Sequence, residues 1–398
     1  MAFFDPTRPS YRANPYPALA QLRRDDPVHW SAGLKAWVPT RYAECSEVLH
    51  DGRRFTTDPA LTEGARAEAI IAHRASAPLG TVPTLGTTSG EAHRELRRIV
   101  NPVFAPAAVR KVTPDIVSAV GRLLERLPTG EAFDLMETFA NPLPKHVMLG
   151  LMGFPETEAN HLQRLLSTIE VARSNPRSVP ATMAAARSAQ AEAAAILEPH
   201  LAGGPSGETV LGALARSWEN GGGMGIDEVL SVAAHIATVG SDPTSGAIAN
   251  AVAALATDGE TQERLRREPR QMRNATHELL RYDSPAHITP RFAAVDTELA
   301  GKRVRRGDAV LAMVGAANRD PAAFPRPDEI DIERDARRQL GFGQGEHICL
   351  GAPLALAILE SALSGLFRRF TRIELAAAPE YGPSIELRVP DRLLIRCE

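Results

Sequence analysis

The chain has 398 residues, of which 44% are hydrophobic and 23% charged. That balance belongs to a soluble globular protein with material for a large core, and the length allows about one to three domains. A net charge of −3 argues against a nucleic-acid binder, which is usually basic.

The N-terminus, Met1-Ala2-Phe3-Phe4-Asp5-Pro6, places an acid and a proline where a signal peptide needs an apolar run. No segment offers about 18 uninterrupted apolar residues, so no membrane span is expected. The three cysteines, Cys45, Cys349 and Cys397, are too far apart for a zinc spacing or a disulfide framework. That pattern fits a reducing cytoplasm. Residues 1–15 read as an irregular lead-in. Tyr16, Leu19 and Leu22 predict a helix over 16–24. Two short strands around Trp30 and Trp37, joined through Gly33, predict a β-hairpin in which both rings pack. Arg41 to His50 reads as a helix with Cys45 inside it as a structural residue.

Residues 57–90 carry little apolar period and many Thr, Gly, Ala and Pro, which suits a lid or binding loop. Glu91 to Val100 reads as a helix. On it His93 and Arg97 are four apart and share a face, and an arginine can grip a carboxylate with two bonds. Arg94, Arg98, Arg110 and Lys111 read as solvated. Helices are predicted over 108–127, 154–172 and 181–201, the last rich in alanine. The turn 173–180 contains Pro176 and Pro180. Loops are expected at 203–208 and 220–225; the Gly221-Gly222-Gly223 run is no phosphate cradle, since no strand precedes it.

Asp227 to Ala256 is the longest helical pattern, roughly 45 Å at 1.5 Å per residue. It is small and apolar nearly all round, so burial is expected. Thr276 to Arg281 reads as a helix carrying Glu278 and Arg281, three apart and able to pair. Residues 295–315 predict short strands with a turn at Gly301-Lys302, and a helix is expected from Pro353 to Phe370. Before it lies Phe342-Gly343-Gln344-Gly345-Glu346-His347-Ile348-Cys349-Leu350-Gly351. Glycine permits positive φ and close approach of a flat ligand, and Pro353 suits a helix's first turn. Cys349 thus falls just before a helix N-terminus, where a thiolate is stabilised and suits a soft metal.

The spacing F-x-x-G-x-H-x-C-x-G resembles the haem-ligand loop of the cytochrome P450 family, at Phe342, Gly345, His347, Cys349 and Gly351. The resemblance implies a mainly α fold with small β-sheets, a triangular prism-like unit spanning 1–398 as a single domain. In it haem b lies between a long central helix and the cysteine-loop helix, with its iron on the Cys349 thiolate. Thiolate ligation favours O–O cleavage. By the same resemblance His93, Arg97, Arg291 and His347 serve the haem propionates. Val239-Gly240-Ser241-Asp242-Pro243-Thr244 is similar to the oxygen-binding segment, with Gly240 and Asp242 matching. Pro243 stands where the family usually has threonine, 35 residues before Glu278. Asp242 and Thr244 are then the proton-relay candidates. Glu278 and Arg281 resemble the family's E-x-x-R, with Arg334 as its third member and a structural role.

The implied activity is that of a monooxygenase in specialised metabolism. Electrons would come from NAD(P)H through a separate reductase and a ferredoxin or flavodoxin. The chain resembles the soluble bacterial type, expected to be a cytoplasmic monomer with no membrane and no nucleic-acid partner. Leu356 and Ile358 stand where many bacterial relatives carry Arg and Glu, which leaves the electron donor open. The pocket expected near 60–88, 173–180, 233–244, 284–289 and 381–384 is small and apolar, so the substrate should be a mostly apolar organic molecule. Two alternatives stay open: a peroxide-driven, coupling or ring-forming catalyst, motivated by Pro243, and a non-catalytic haem-thiolate binding or recruitment protein.

Overall fold

The computed structural model describes residues 4–175, 178–204, 207–219 and 224–398. The expectations for Met1 to Phe3, Pro176, the middle of 203–208 and the Gly221–Gly223 run lie outside the described residues. The chain forms two compact units: residues 1–55, 112–144 and 242–398 make one, and residues 56–111 and 145–241 the other.

In the first unit a mixed sheet carries, in order, Val28–Ser31, Ala36–Pro39, Ala309–Ala312 and Thr289–Ala293. The first pair is the predicted hairpin, with Trp30 opposite Trp37 and their rings 5.2 Å apart, edge to face. Ala36–Pro39 runs parallel to Ala309–Ala312, and Thr289–Ala293 is antiparallel to it. The sheet and helix Tyr42–His50 close a core that holds Val28, Cys45, Val48, Leu49, Val310 and Leu340. Cys45 is fully buried and burial pushes its thiol far up, as a structural cysteine requires. Helix Asp242–Leu255 packs on helices Met272–Tyr282 and Ala352–Arg369. A second sheet, Ala132–Asp134, Leu394–Cys397 and Ile373–Leu375, is antiparallel throughout. The sequence reading anticipated none of its strands, nor the π-helical turn Met136–Ala140 or helix Pro142–Met152.

The second unit is built on helix Ala159–Ser174, which packs against Pro180–Ala202 and Ile226–Val239. Helix Gly90–Phe104 packs on Val210–Glu219. Four expectations need correction. In the first unit the lead-in over 1–15 is not irregular throughout, since Pro9–Ala13 is a short helix. The stretch 57–90 is not irregular throughout: Ala65–Ser76 is a helix, and only Ala67 of it is buried, so it has no apolar period to display. The helix expected from 154 begins at Ala159, after a turn in which the Glu158 N–H donates to the Pro155 carbonyl at 2.9 Å. The 30-residue rod expected over 227–256 is two helices, Ile226–Val239 and Asp242–Leu255. Pro243 accounts for the break. It has no N–H to continue the first helix, and it falls in the first turn of the second, where that N–H has no partner to lose.

Candidate active site

Phe342 to Gly351 folds as a closed loop. The Cys349 N–H donates to the Phe342 carbonyl at 2.8 Å, and the Ile348 N–H to that of Gly345 at 3.2 Å. Gly343 and Gly345 take φ of +68° and +70°, the region that disfavours side chains. A Cβ on Gly345 would also lie 2.9 Å from the His50 carbonyl oxygen, so the loop sits directly on the end of helix Tyr42–His50. Ser46 Oγ fixes it further by donating to Gln344 Oε1 at 2.5 Å. Gly351 precedes helix Ala352–Arg369, with Pro353 in its first turn. Phe342 and His347 are half-buried, whereas Cys349 is exposed. Cysteine is among the most buried residue types, so an exposed one on a pinned loop at a helix start is a candidate ligand-holding group.

Arg291, on strand Thr289–Ala293 of the same unit, is 5% exposed. Its guanidinium makes one hydrogen bond, from Nη1 to the Pro290 carbonyl at 2.9 Å, and has no carboxylate partner among the described residues. Burial alone lowers its pKa to about 10. A buried cation without a counter-ion is costly, and it fits an anionic group brought by a ligand.

Glu278, Arg281 and Arg334 come together. Arg281 Nε and Nη2 bind the Glu278 carboxylate at 2.7 and 2.8 Å, and Arg334 Nε reaches Oε1 at 3.1 Å. The remaining Arg281 donors reach the carbonyls of Asn318, Pro327 and Glu329. All five N–H donors of that guanidinium are used. The carboxylate is fully buried, and the arginines tie the irregular stretch 318–334 to helix Met272–Tyr282. This is a structural clamp.

In the other unit, helix Gly90–Phe104 buries His93 and half-buries Arg97, while Arg94, Arg98, Arg110 and Lys111 are exposed. Gly240 caps helix Ile226–Val239, and a Cβ there would meet Met148 at 2.8 Å. The relay candidates are not brought side by side: Asp242 is exposed and Thr244 buried, about 200° apart around their helix.

Two polar networks escaped the sequence reading. Glu170 pairs with Arg173 and lies 3.4 Å from His235 Nδ1, while Arg173 Nη1 donates to Ser231 Oγ at 2.7 Å. Glu170-Val171-Ala172-Arg173 is a second E-x-x-R, and that spacing was its available signal. In the first unit Asp283 accepts from Tyr16 Oη at 2.6 Å and from Arg388 Nε at 2.8 Å. Arg319 lies between the Tyr16 and Tyr282 rings, 3.6 and 3.7 Å from their centroids. These partners lie 37 to about 300 residues apart and leave no local pattern.

A mainly helical protein with an exposed cysteine at a helix start and a buried arginine lacking a carboxylate among the described residues is compatible with the haem-thiolate class. The Cytochrome P450 family model matches residues 210–378. The chain is 31% identical to Epothilone C/D epoxidase of Sorangium cellulosum, over 95% of this chain and 91% of the relative. It is also 31% identical to 6-deoxyerythronolide B hydroxylase of Saccharopolyspora erythraea, over 98% and 97% of the two chains. Among solved structures, CalO2 matches with TM-score 0.87 and 31% identity over 100% of this chain and 99% of its own. Epothilone D-bound P450epoK matches at 0.88 and 28%, over 99% of each. The chain belongs to the cytochrome P450 family. It is a haem-thiolate monooxygenase that acts on a small molecule with electrons from an external redox partner. Among the described residues no helix is long and apolar enough to cross a membrane.

Proposed function

We propose that Cys349 is the iron ligand, and that Arg291 and His347, with His93 and Arg97 of the other unit, hold the haem propionates. The residues fit that group: a buried, carboxylate-free arginine suits a propionate, and an outward thiol on a stiff loop suits the iron. Phe342 and Gly351 shape the loop around the thiolate, and Gly240 keeps its helix end clear of side-chain bulk. When bound, thiolate-ligated haem supplies reductive activation of dioxygen. Asp242 holds and passes the proton on the exposed side of its helix start, and the Thr244 hydroxyl serves on the buried side. Glu278, Arg281 and Arg334 maintain the fold behind the site.

The whole chain acts as one domain, a monomer in the cytoplasm, served by a ferredoxin or flavodoxin and its reductase. Its substrate is a mostly apolar product of specialised metabolism. The relatives' names, an epoxidase of epothilones and a hydroxylase of 6-deoxyerythronolide B, support that class. The observation that carries the reading is the exposed Cys349 on its glycine-turned loop. The test is the reduced, CO-treated absorption spectrum. A thiolate-type band is expected in the native protein and not in Cys349→Ala; the same band in both would sink the assignment.

A second reading rests on Pro243, which puts no hydroxyl at the usual relay position. Efficient turnover with peroxide and poor coupling with dioxygen and NAD(P)H would establish it over ordinary hydroxylation.

A further inference from the structure

The first unit holds a cleft whose lining draws on the expected pocket segments 284–289 and 381–384 and on residues outside them, among them Tyr11 and Arg12. It is open to solvent, and Tyr11, Arg12, His287, Tyr381, Ile385 and Leu387 are among the side chains lining it. His287 is 3% exposed, and among the described residues neither ring nitrogen has a hydrogen-bond partner. Leaving two such groups unbonded in a folded protein is expensive. The position is shaped for this ring: a Cβ on Gly315 would lie 2.1 Å from Cε1, so only glycine admits it. The backbone on either side is pinned, with the His287 N–H on the Glu386 carbonyl and the Gly315 N–H on the His287 carbonyl. Burial, with the Arg388 and Arg319 charges, lowers the imidazole pKa to about 3, so the ring is neutral and keeps one donor and one acceptor.

A second observation comes from another residue of the lining. Arg12 Nε is buried and has no hydrogen-bond partner. The other cations nearby are matched: Arg388 pairs with Asp283 at 2.8 Å and Arg319 with Asp328 at 3.0 Å. Arg12 has no carboxylate among the described residues, so the cleft keeps one uncompensated positive charge. Around it lie the Tyr11 and Tyr381 rings with Ile385 and Leu387, surfaces that suit an apolar or aromatic body.

We propose that this cleft binds a small monocarboxylate with an apolar or aromatic body. The carboxylate accepts from Arg12 and from the His287 N–H, and the body lies between the tyrosine rings. The ligand is either a distinct effector or an acidic substrate held on its way in; both present the same carboxylate.

The test is calorimetric titration of the haem-loaded protein with 3-phenylpropionate and with 3-phenylpropan-1-ol, recording the haem spectrum alongside. The acid should bind one to one and roughly tenfold or more tighter than the alcohol, the worth of one charge-assisted hydrogen bond. Added salt should weaken the acid and leave the alcohol unchanged. Arg12→Gln should abolish the preference; it keeps the main-chain carbonyl that Arg388 uses, so the fold is retained. His287→Asn should weaken the acid as well. Binding lost in Arg12→Gln with no haem spectral change supports an effector site. Binding lost together with a spectral change supports an acidic substrate in transit. Equal affinities, no binding of the acid, or a preference that survives Arg12→Gln would overturn the proposal. A normal CO spectrum in the same sample separates that failure from failure of the haem-thiolate reading.

Discussion

Arg291→Gln should move haem retention and apoprotein stability in opposite directions. The arginine is 5% exposed and its pKa falls to about 10 from an ordinary 12.5. A base depressed in the folded state destabilises that state wherever folded and unfolded chains both carry the charge. The penalty is therefore complete at neutral pH, is relieved as pH rises from about 10 to 12.5, and is absent above. At about 1.4 kcal/mol per pH unit it amounts to about 3 kcal/mol. Glutamine removes the charge and can still donate to the Pro290 carbonyl. The apoprotein should therefore melt at a higher temperature, gaining up to about 3 kcal/mol. A propionate should lose a charge-assisted bond worth about 1.5–3 kcal/mol, so haem should leave roughly tenfold to a hundredfold faster. Transfer of haem to excess apomyoglobin measures the second effect and far-UV circular dichroism of the apoprotein the first. Haem release at the native rate, or an apoprotein made less stable, would refute the reasoning.

Arg281→Met leaves the Glu278 carboxylate with Arg334 and the Asp331 N–H and frees three carbonyls, so stability should fall by about 3–5 kcal/mol. A denaturant midpoint displaced by less than about 1 kcal/mol would contradict the clamp. Gly345→Ala forces a side chain into φ +70° and against the His50 carbonyl. It should cost about 1–3 kcal/mol and loosen haem, seen as a lower haem-to-protein ratio after purification. Pro243→Thr should change stability by no more than about 1 kcal/mol, because the proline sits in a helix's first turn; a gain near 3 kcal/mol would show a helix-interior proline instead. The same variant should release less hydrogen peroxide per NAD(P)H oxidised, and unchanged leakage counts against the relay reading.

The cysteine loop was legible because its constraints are local. Positive-φ glycines, a cysteine and a helix-starting proline lie within twelve residues, and each has its meaning without a distant partner. Helices Tyr42–His50 and Ala352–Arg369 were legible for the same kind of reason, since an apolar period reports a buried face. Helix Ala65–Ser76 was not, because almost none of it is buried. The strands of the second sheet are three or four residues long, too short for a period to emerge, and their pairing joins residues 132–134 to 394–396.

What the sequence determined by itself is the chemistry available at each point: which residue can ligate, turn, cap or carry charge. Only the tertiary structure decided which of two identical spacings clamps the stretch 318–334. Glu278-x-x-Arg281 meets Arg334 and the carbonyls of that stretch, while Glu170-x-x-Arg173 meets Ser231 and His235. It also decided that, among the described residues, Arg291 and Arg12 face no carboxylate and the His287 ring nitrogens have no hydrogen-bond partner. Charge and hydrogen bonding act through space at a few ångströms, so the partner that gives a side chain its role can lie anywhere along the chain.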